Sequence, residues 1–149
     1  MPDPVTVSVN VARPREEVFD FVDVLANREG WMDHLYKHWS FEGPQRGVGA
    51  IAKAQVDAPS AREKVTLEVV EASAPERIVE EIESAHGKRK TRGTYRFVEV
   101  GEGRTRVELE FEWLKTPRTE RVAAPVSRAF MSRAQGKALK KLAAQLEKD

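Results

Sequence analysis

The chain of 149 residues has no cysteine. That excludes a disulfide scaffold, a cysteine nucleophile and a zinc–thiolate site. It has no apolar run near the roughly 18 residues that cross a bilayer, so no membrane span is expected. Neither sign of charge dominates: 25 Lys and Arg against 24 Asp and Glu leave a net +1. No global field favours nucleic acid or an acidic substrate. The start, Met1-Pro2-Asp3-Pro4, lacks the basic-then-apolar layout of a secretion signal, so the cytoplasm is the expected location. No serine sits in a Gly-x-Ser-x-Gly elbow, and no glycine-rich phosphate loop is present. The length suits one domain, residues 1–149, large enough to fold alone.

What is there is strand alternation bracketed by helices. Val5, Val7, Val9 and Val11 alternate with polar residues, the pattern of a strand with one buried face. Pro14-Arg15-Glu16-Glu17 then opens a helix carrying Val18, Phe19, Phe21 and Val22. Asp23 is placed as the N-cap of a second short helix that ends near Gly30. Further strands follow, one spanning Val48 to Val56 and others centred on Leu67, Glu80 and Tyr95. A loop is read at Ala58-Pro59-Ser60. Val107, Leu109, Phe111 and Trp113, separated by three glutamates, mark the last strand. From about Pro125 to Lys148 the chain reads as one long helix, with Met131, Ala138, Leu139, Leu142 and Leu146 on one face and Gln135 in their midst.

Cross-strand matching predicts register. A turn at His86-Gly87 pairs Ile82 with Thr91, Ile78 with Tyr95, Glu83 with Lys90 and Glu81 with Arg92. A three-residue loop near Gly103 then pairs Phe97 with Leu109 and Arg96 with Glu110. On this register the basic run Lys88-Arg89-Lys90-Thr91-Arg92 faces acids. It reads as a neutralised sheet face and not as a nucleic-acid site, for no aromatics interleave with it.

One strand, two short helices, six strands and a long helix form a distinctive order. The chain resembles the START-like helix-grip superfamily (SRPBCC), and within it the polyketide cyclase/dehydrase group of small bacterial single-domain proteins. The resemblance is carried by Pro14-Arg15-Glu16-Glu17-Val18-Phe19-Asp20, the Asp23 to Trp31 segment, Gly93-Thr94-Tyr95-Arg96-Phe97 and Gly103-Arg104-Thr105-Arg106-Val107. It implies an α+β fold, a seven-stranded antiparallel sheet curled around the C-terminal helix, and an apolar cavity between them. Members of such a fold range from lipid carriers to aromatase/cyclases.

The resemblance sets three expectations for function. The first is a carrier or sensor that holds a hydrophobic small molecule, lipid- or polyketide-like, and needs no cofactor and no metal. The second is a polyketide aromatase/cyclase or dehydratase. The third is a protein-interaction module of the co-chaperone kind. A monomer or homodimer suits each. The ligand-binding candidates are Trp31, His34, Trp39, Tyr95, Trp113, Arg128 and Gln135, with Tyr36 and Phe130 among the large aromatics near the cavity. Any of them is also an ordinary core or stripe-edge residue. For proton transfer the candidates are His34, whose unperturbed pKa is about 6.5, and Glu80, which is placed inward between Ile78 and Ile82 with Arg89 and Thr91 on the same face of the next strand. His34 and His38 with Asp33 have loose metal-ligand spacing only if a helix continues through them.

Overall fold

The alternating segments pair into one antiparallel sheet because each has a single apolar face to bury. The computed structural model describes residues 2–58 and 61–148. The strand β1 (Val5–Val11) leads into α1 (Arg15–Asp23), a 3₁₀ turn over Leu25–Asn27, and α2 (Arg28–Trp31), a single turn. Six strands follow: β2 (Tyr36–Glu42), β3 (Ile51–Ala58), β4 (Ala61–Ser73), β5 (Arg77–Ser84), β6 (Arg89–Gly101) and β7 (Arg104–Lys115). A 3₁₀ segment (Arg118–Ala123) delivers the chain to α3 (Ala124–Glu147). The strand order is β1-β7-β6-β5-β4-β3-β2. Each sequential pair from β2 to β7 is therefore a neighbour, and β1 closes against β7. This is the α+β helix-grip architecture expected from the sequence.

The core lies between the sheet's inner face and the helices. Val18, Phe19 and Val22 of α1 are buried, as are Ala138, Leu139 and Leu142 of α3. Phe19 meets Phe97 edge-on, with ring centroids 5.4 Å apart, which ties α1 to β6. The C-terminal end of α3 is stitched to the opposite terminus by side chains. Glu147 accepts the Ala12 N–H at 2.7 Å, and the Leu146 carbonyl accepts Arg13 Nε–H at 2.8 Å.

The register predicted for β5 and β6 is the one found, including the like-charged Arg77 opposite Arg96. The β6–β7 register differs by two residues: Phe97 faces Val107, Tyr95 faces Leu109 and Arg96 faces Glu108. The turn has two residues, Glu102 and Gly103, and an irregularity between Glu99 and Gly101 absorbs the odd residue. Apolar alternation fixes only the parity of a pairing, so a two-residue slip leaves every side chain on its correct face. Arg96 still reaches Glu110 diagonally, at 3.2 Å.

Two other expectations are corrected. Asp23 does not cap the second helix. It ends α1, is buried, and accepts the Gly47 N–H at 3.1 Å, holding the connection before β3. That connection runs through Gly47 and Gly49, both at positive φ, so β3 begins at Ile51 and Val48 is exposed. Of the loop read at Ala58-Pro59-Ser60, the last two residues lie outside the described ones.

Candidate functional site

The strand registers stack inner-face residues in rows across the sheet. Ser84 faces Arg89 at one end. Next come Ile82, Thr91 and Trp113, then Glu80, Gly93 and Phe111, then Ile78, Tyr95 and Leu109. Over the first rows the sheet and the N-terminal half of α3 do not close on each other. They leave a cavity of about 250 Å³. Its apolar walls are Val56, Val65, Ile82, Phe111 and Trp113 from the sheet and Phe130 and Met131 from α3. Tyr36 and Thr91 contribute to the same lining. Glu63, Ser84, Arg89, Glu120 and Ser127 make its polar end. Phe111 and Trp113 pack edge-on at 5.2 Å, a rigid aromatic wall.

Further in, the rows close completely around one ion pair. Glu80 is 2% exposed and Arg28, from α2, is fully buried. Arg28 Nη1 donates to Glu80 Oε2 at 2.9 Å, and Nε donates to the Val22 carbonyl at 3.2 Å. The guanidinium carbon lies 5.3 Å from the Trp31 ring centroid and 5.1 Å from that of Tyr95. Two aromatic faces thus take the side of the cation that no oxygen reaches. Burial pushes the Glu80 carboxyl above the usual carboxylate range, and Arg28 opposes that shift. Burial works against the Arg28 charge, but Glu80 and then Tyr95 outweigh it. Gly93 lies opposite Glu80 across β5 and β6, and a Cβ there would meet the Glu80 side chain at 3.4 Å, ordinary contact distance. Tyr36 joins the two regions. It lines the cavity, and burial together with the Glu80 charge raises its hydroxyl well above the ordinary tyrosine value.

A family comparison decides what this architecture is. The family described as polyketide cyclase/dehydrase and lipid transport matches residues 4–147. The chain belongs to that family. Among curated proteins, none matches the sequence. Solved structures of similar fold include TTHA0849 from Thermus thermophilus, with a TM-score of 0.77, 18% identity and 97% of each chain covered. The ZhuI aromatase/cyclase from Streptomyces sp. R1128 gives 0.76 at 16% identity, covering 98% of this chain and 94% of its own. Norcoclaurine synthase from Thalictrum flavum gives 0.71 at 13% identity, covering 94% and 85%. Identities this low carry the fold and not the reaction.

Within the cyclase/dehydrase fold the candidate residues separate. Trp113 lines the cavity. Trp31 and Tyr95 are fully buried around Arg28, their rings 6.3 Å apart, behind the cavity wall. Trp39 is half-buried, stacked on Phe41 and edge-on to Tyr36, with Nε1 donating to the Tyr36 carbonyl. Arg128 is exposed and clamps the N-terminal arm, donating to the Asp3 and Pro4 carbonyls at 3.0 and 3.1 Å. Gln135 is buried mid-stripe, with Oε1 unpartnered. His34 lies past the end of α2, its Nε2 donating to the Ala134 carbonyl of α3 at 2.8 Å. His38 sits in β2 at φ 58° and is exposed, so no helix joins the two histidines. Among the described residues no cluster of His, Asp and Glu is placed to hold a metal. No described helix is long and apolar enough to cross a membrane.

Sequence reasoning placed Glu80 inward, with Arg89 and Thr91 on the same face of β6, but named no partner for it. Arg89 turns toward Glu63, Glu120 and Ser84, and the partner of Glu80 is Arg28. The signal available was the inward carboxylate itself, which demands a buried cation. Arg28 gave no signal of its own, because a four-residue helix has no periodicity to read. On the outer face, Lys90 and Arg92 both pair with Glu81, at 3.1 and 3.2 Å. A hollow of about 340 Å³ there is lined by Arg77, Arg92 and Arg96 interleaved with acids, and its charges are spent on one another.

Proposed function

We propose that this chain is a binding protein for a hydrophobic small molecule, acting as a carrier or sensor and needing no cofactor. One observation supports this above the others. The cavity of about 250 Å³ is walled by aliphatic and aromatic side chains and opens beside α3, with Arg89, Glu63, Glu120 and Ser84 of its lining joined in one hydrogen-bonded cluster. That is the layout of a site that holds an apolar body and orients it by one polar end. The proton carriers singled out from the sequence do not line the cavity: His34 is bonded to α3 and Glu80 to Arg28. This favours holding a ligand over transforming it. The test is titration with the neutral apolar dye Nile red. Saturable binding that Met131→Trp weakens at least tenfold, with an unchanged far-ultraviolet circular dichroism spectrum, is the expected result. Absence of saturable binding refutes the proposal.

A second reading is a cyclase or dehydratase using the same cavity. It is favoured by Tyr36, whose ring lines the cavity while its hydroxyl feels both Glu80 and Arg28. Turnover of a polyketide-like substrate that Tyr36→Phe abolishes without loss of affinity would establish it. The co-chaperone reading has no comparable support.

A further inference from the structure

The polar end of the cavity is built around Arg89 of β6. Its Nε donates to Glu120 Oε1 at 3.0 Å, and Nη1 donates to Ser84 Oγ at 3.0 Å. Nη1 also donates to Glu63 Oε2, and Nη2 to Glu63 Oε1 at 3.4 Å and to Glu120 Oε2. A guanidinium has five N–H groups. All five are taken. Arg89 therefore has no donor left for an incoming anion. Glu63 and Glu120, by contrast, are acceptors with lone pairs to spare, and both border the cavity. Among the described residues, two carboxylates around one guanidinium leave the cluster with one negative charge in excess. The deeper Arg28–Glu80 pair is balanced and does not offset it. The cluster is partly sheltered, with Arg89 and Glu63 side chains 18% exposed and Glu120 32%.

We propose that this cluster is a head-group site, and that it selects an apolar amine over an apolar carboxylic acid. The inference rests on the cavity-binding reading above and adds the ligand's polar chemistry. The alkyl or aromatic body lies against Phe111, Trp113 and Phe130. A protonated amine at the mouth donates to the free lone pairs of Glu63 and Glu120. A carboxylate there meets two like charges and finds no free N–H on Arg89. The 3₁₀ segment that carries Glu120 joins β7 to α3, so the head-group contact and the closure of the cavity mouth share one residue.

The test compares decylamine, decanol and decanoate as displacers of Nile red at pH 7 and low salt, using the full chain. Decylamine is expected to displace the dye at a concentration about tenfold below that of decanoate, with the gap narrowing at about 0.5 M salt as the charges are screened. In Glu120→Gln and in Glu63→Gln the ratio between amine and acid should fall toward one. These isosteric changes each remove a charge, and measuring a ratio within each variant cancels any general loss of affinity. If decanol displaces the dye but decanoate matches or beats decylamine, the head-group inference fails while the cavity reading stands. If the amine preference survives in both variants, the preference does not arise at this cluster and the inference also fails. If decanol does not displace bound dye, the cavity reading fails and takes this inference with it.

Discussion

Arg28→Met is the most informative single change in the core. Arg28 is fully buried, and its charge is balanced by Glu80 at 2.9 Å. Two charges about 4 Å apart at an effective dielectric of about 20 attract by roughly 4 kcal/mol. Removing one member of such a pair typically costs about 3–5 kcal/mol, because the other is left uncompensated. Methionine fills much of the arginine stem's volume, so cavity formation adds little. The hydrogen bond to the Val22 carbonyl and the two aromatic contacts are also lost. The loss should therefore sit in that range at neutral pH. For a chain near 150 residues this is a fall in Tm of about 10 °C, at about 2–4 °C per kcal/mol.

The pH dependence gives the sharper check. Burial already raises the Glu80 carboxyl, and Arg28 holds it back. Without Arg28 the folded-state value rises further. A carboxyl raised on folding lends stability that is fully present below its unfolded value, about 4.3, and is lost as pH rises through the folded value. Arg28→Met should thus cost less at acid pH, where Glu80 holds a proton, than at pH 8. Glu80→Gln keeps an oxygen that can accept the Arg28 N–H but leaves the buried guanidinium, which cannot shed its charge, without a counter-charge, so it too should cost about 3–5 kcal/mol at neutral pH. Urea unfolding at several pH values measures all of this. A cost for Arg28→Met that is flat in pH would refute the reasoning.

Other changes test other levels of the structure. Gly43→Ala should destabilise by at least about 1 kcal/mol in thermal melts, since residue 43 sits at φ 75° and a Cβ there would stand 2.7 Å from the Gly49 carbonyl oxygen. Gly136→Ala, in the middle of α3 with nothing near the added carbon, should stabilise by up to about 1 kcal/mol in the same assay. Glu81 is held below the usual carboxylate range by Lys90 and then Arg92. Its contribution is present above about pH 4.3 and lost as pH falls through the folded value, the opposite sign to Glu80. It is partly exposed, so Glu81→Gln should cost under about 1 kcal/mol at neutral pH, and less in high salt. The run from Lys88 to Arg92 should show no tight, salt-steep binding to duplex DNA in fluorescence anisotropy.

The fold was legible because most of its decisions are local or pairwise. Alternation alone marks Val5–Val11 and Val107–Trp113 as strands with one buried face. The β5–β6 register follows from charge and apolar matching together, since Glu81 opposite Arg92 and Ile82 opposite Thr91 are satisfied by one alignment. The β6–β7 register escaped because Glu108, Glu110 and Glu112 repeat every two residues. Arg96 meets a glutamate in the expected and the observed register alike, and the choice falls to an irregularity near Val100 that side-chain pattern does not encode. Asp23 escaped for a related reason. A cap and a loop anchor use the same carboxylate chemistry, and only the position of Gly47 in space separates them.

The site was legible only in outline, and the physical reason is that its polar groups come from distant segments. Arg28 and Glu80 are separated by 52 positions, and Arg89 meets carboxylates 26 and 31 positions away. Parity says which face a residue takes but not which cation will answer an inward acid. The curl of the sheet decides that, by bringing α2 over the Glu80 row and the 3₁₀ segment over the Arg89 row. The result is two charged clusters with different chemistry. The inner one is closed, balanced and stacked between aromatic rings, so it fixes the shape of the core. The outer one is partly wet, carries a carboxylate in excess and borders the cavity. Charge imbalance at a cavity mouth acts on what enters, whereas a balanced buried pair acts on whether the fold holds. Stability assays should therefore respond chiefly to Arg28 and Glu80, and ligand selection to Glu63 and Glu120.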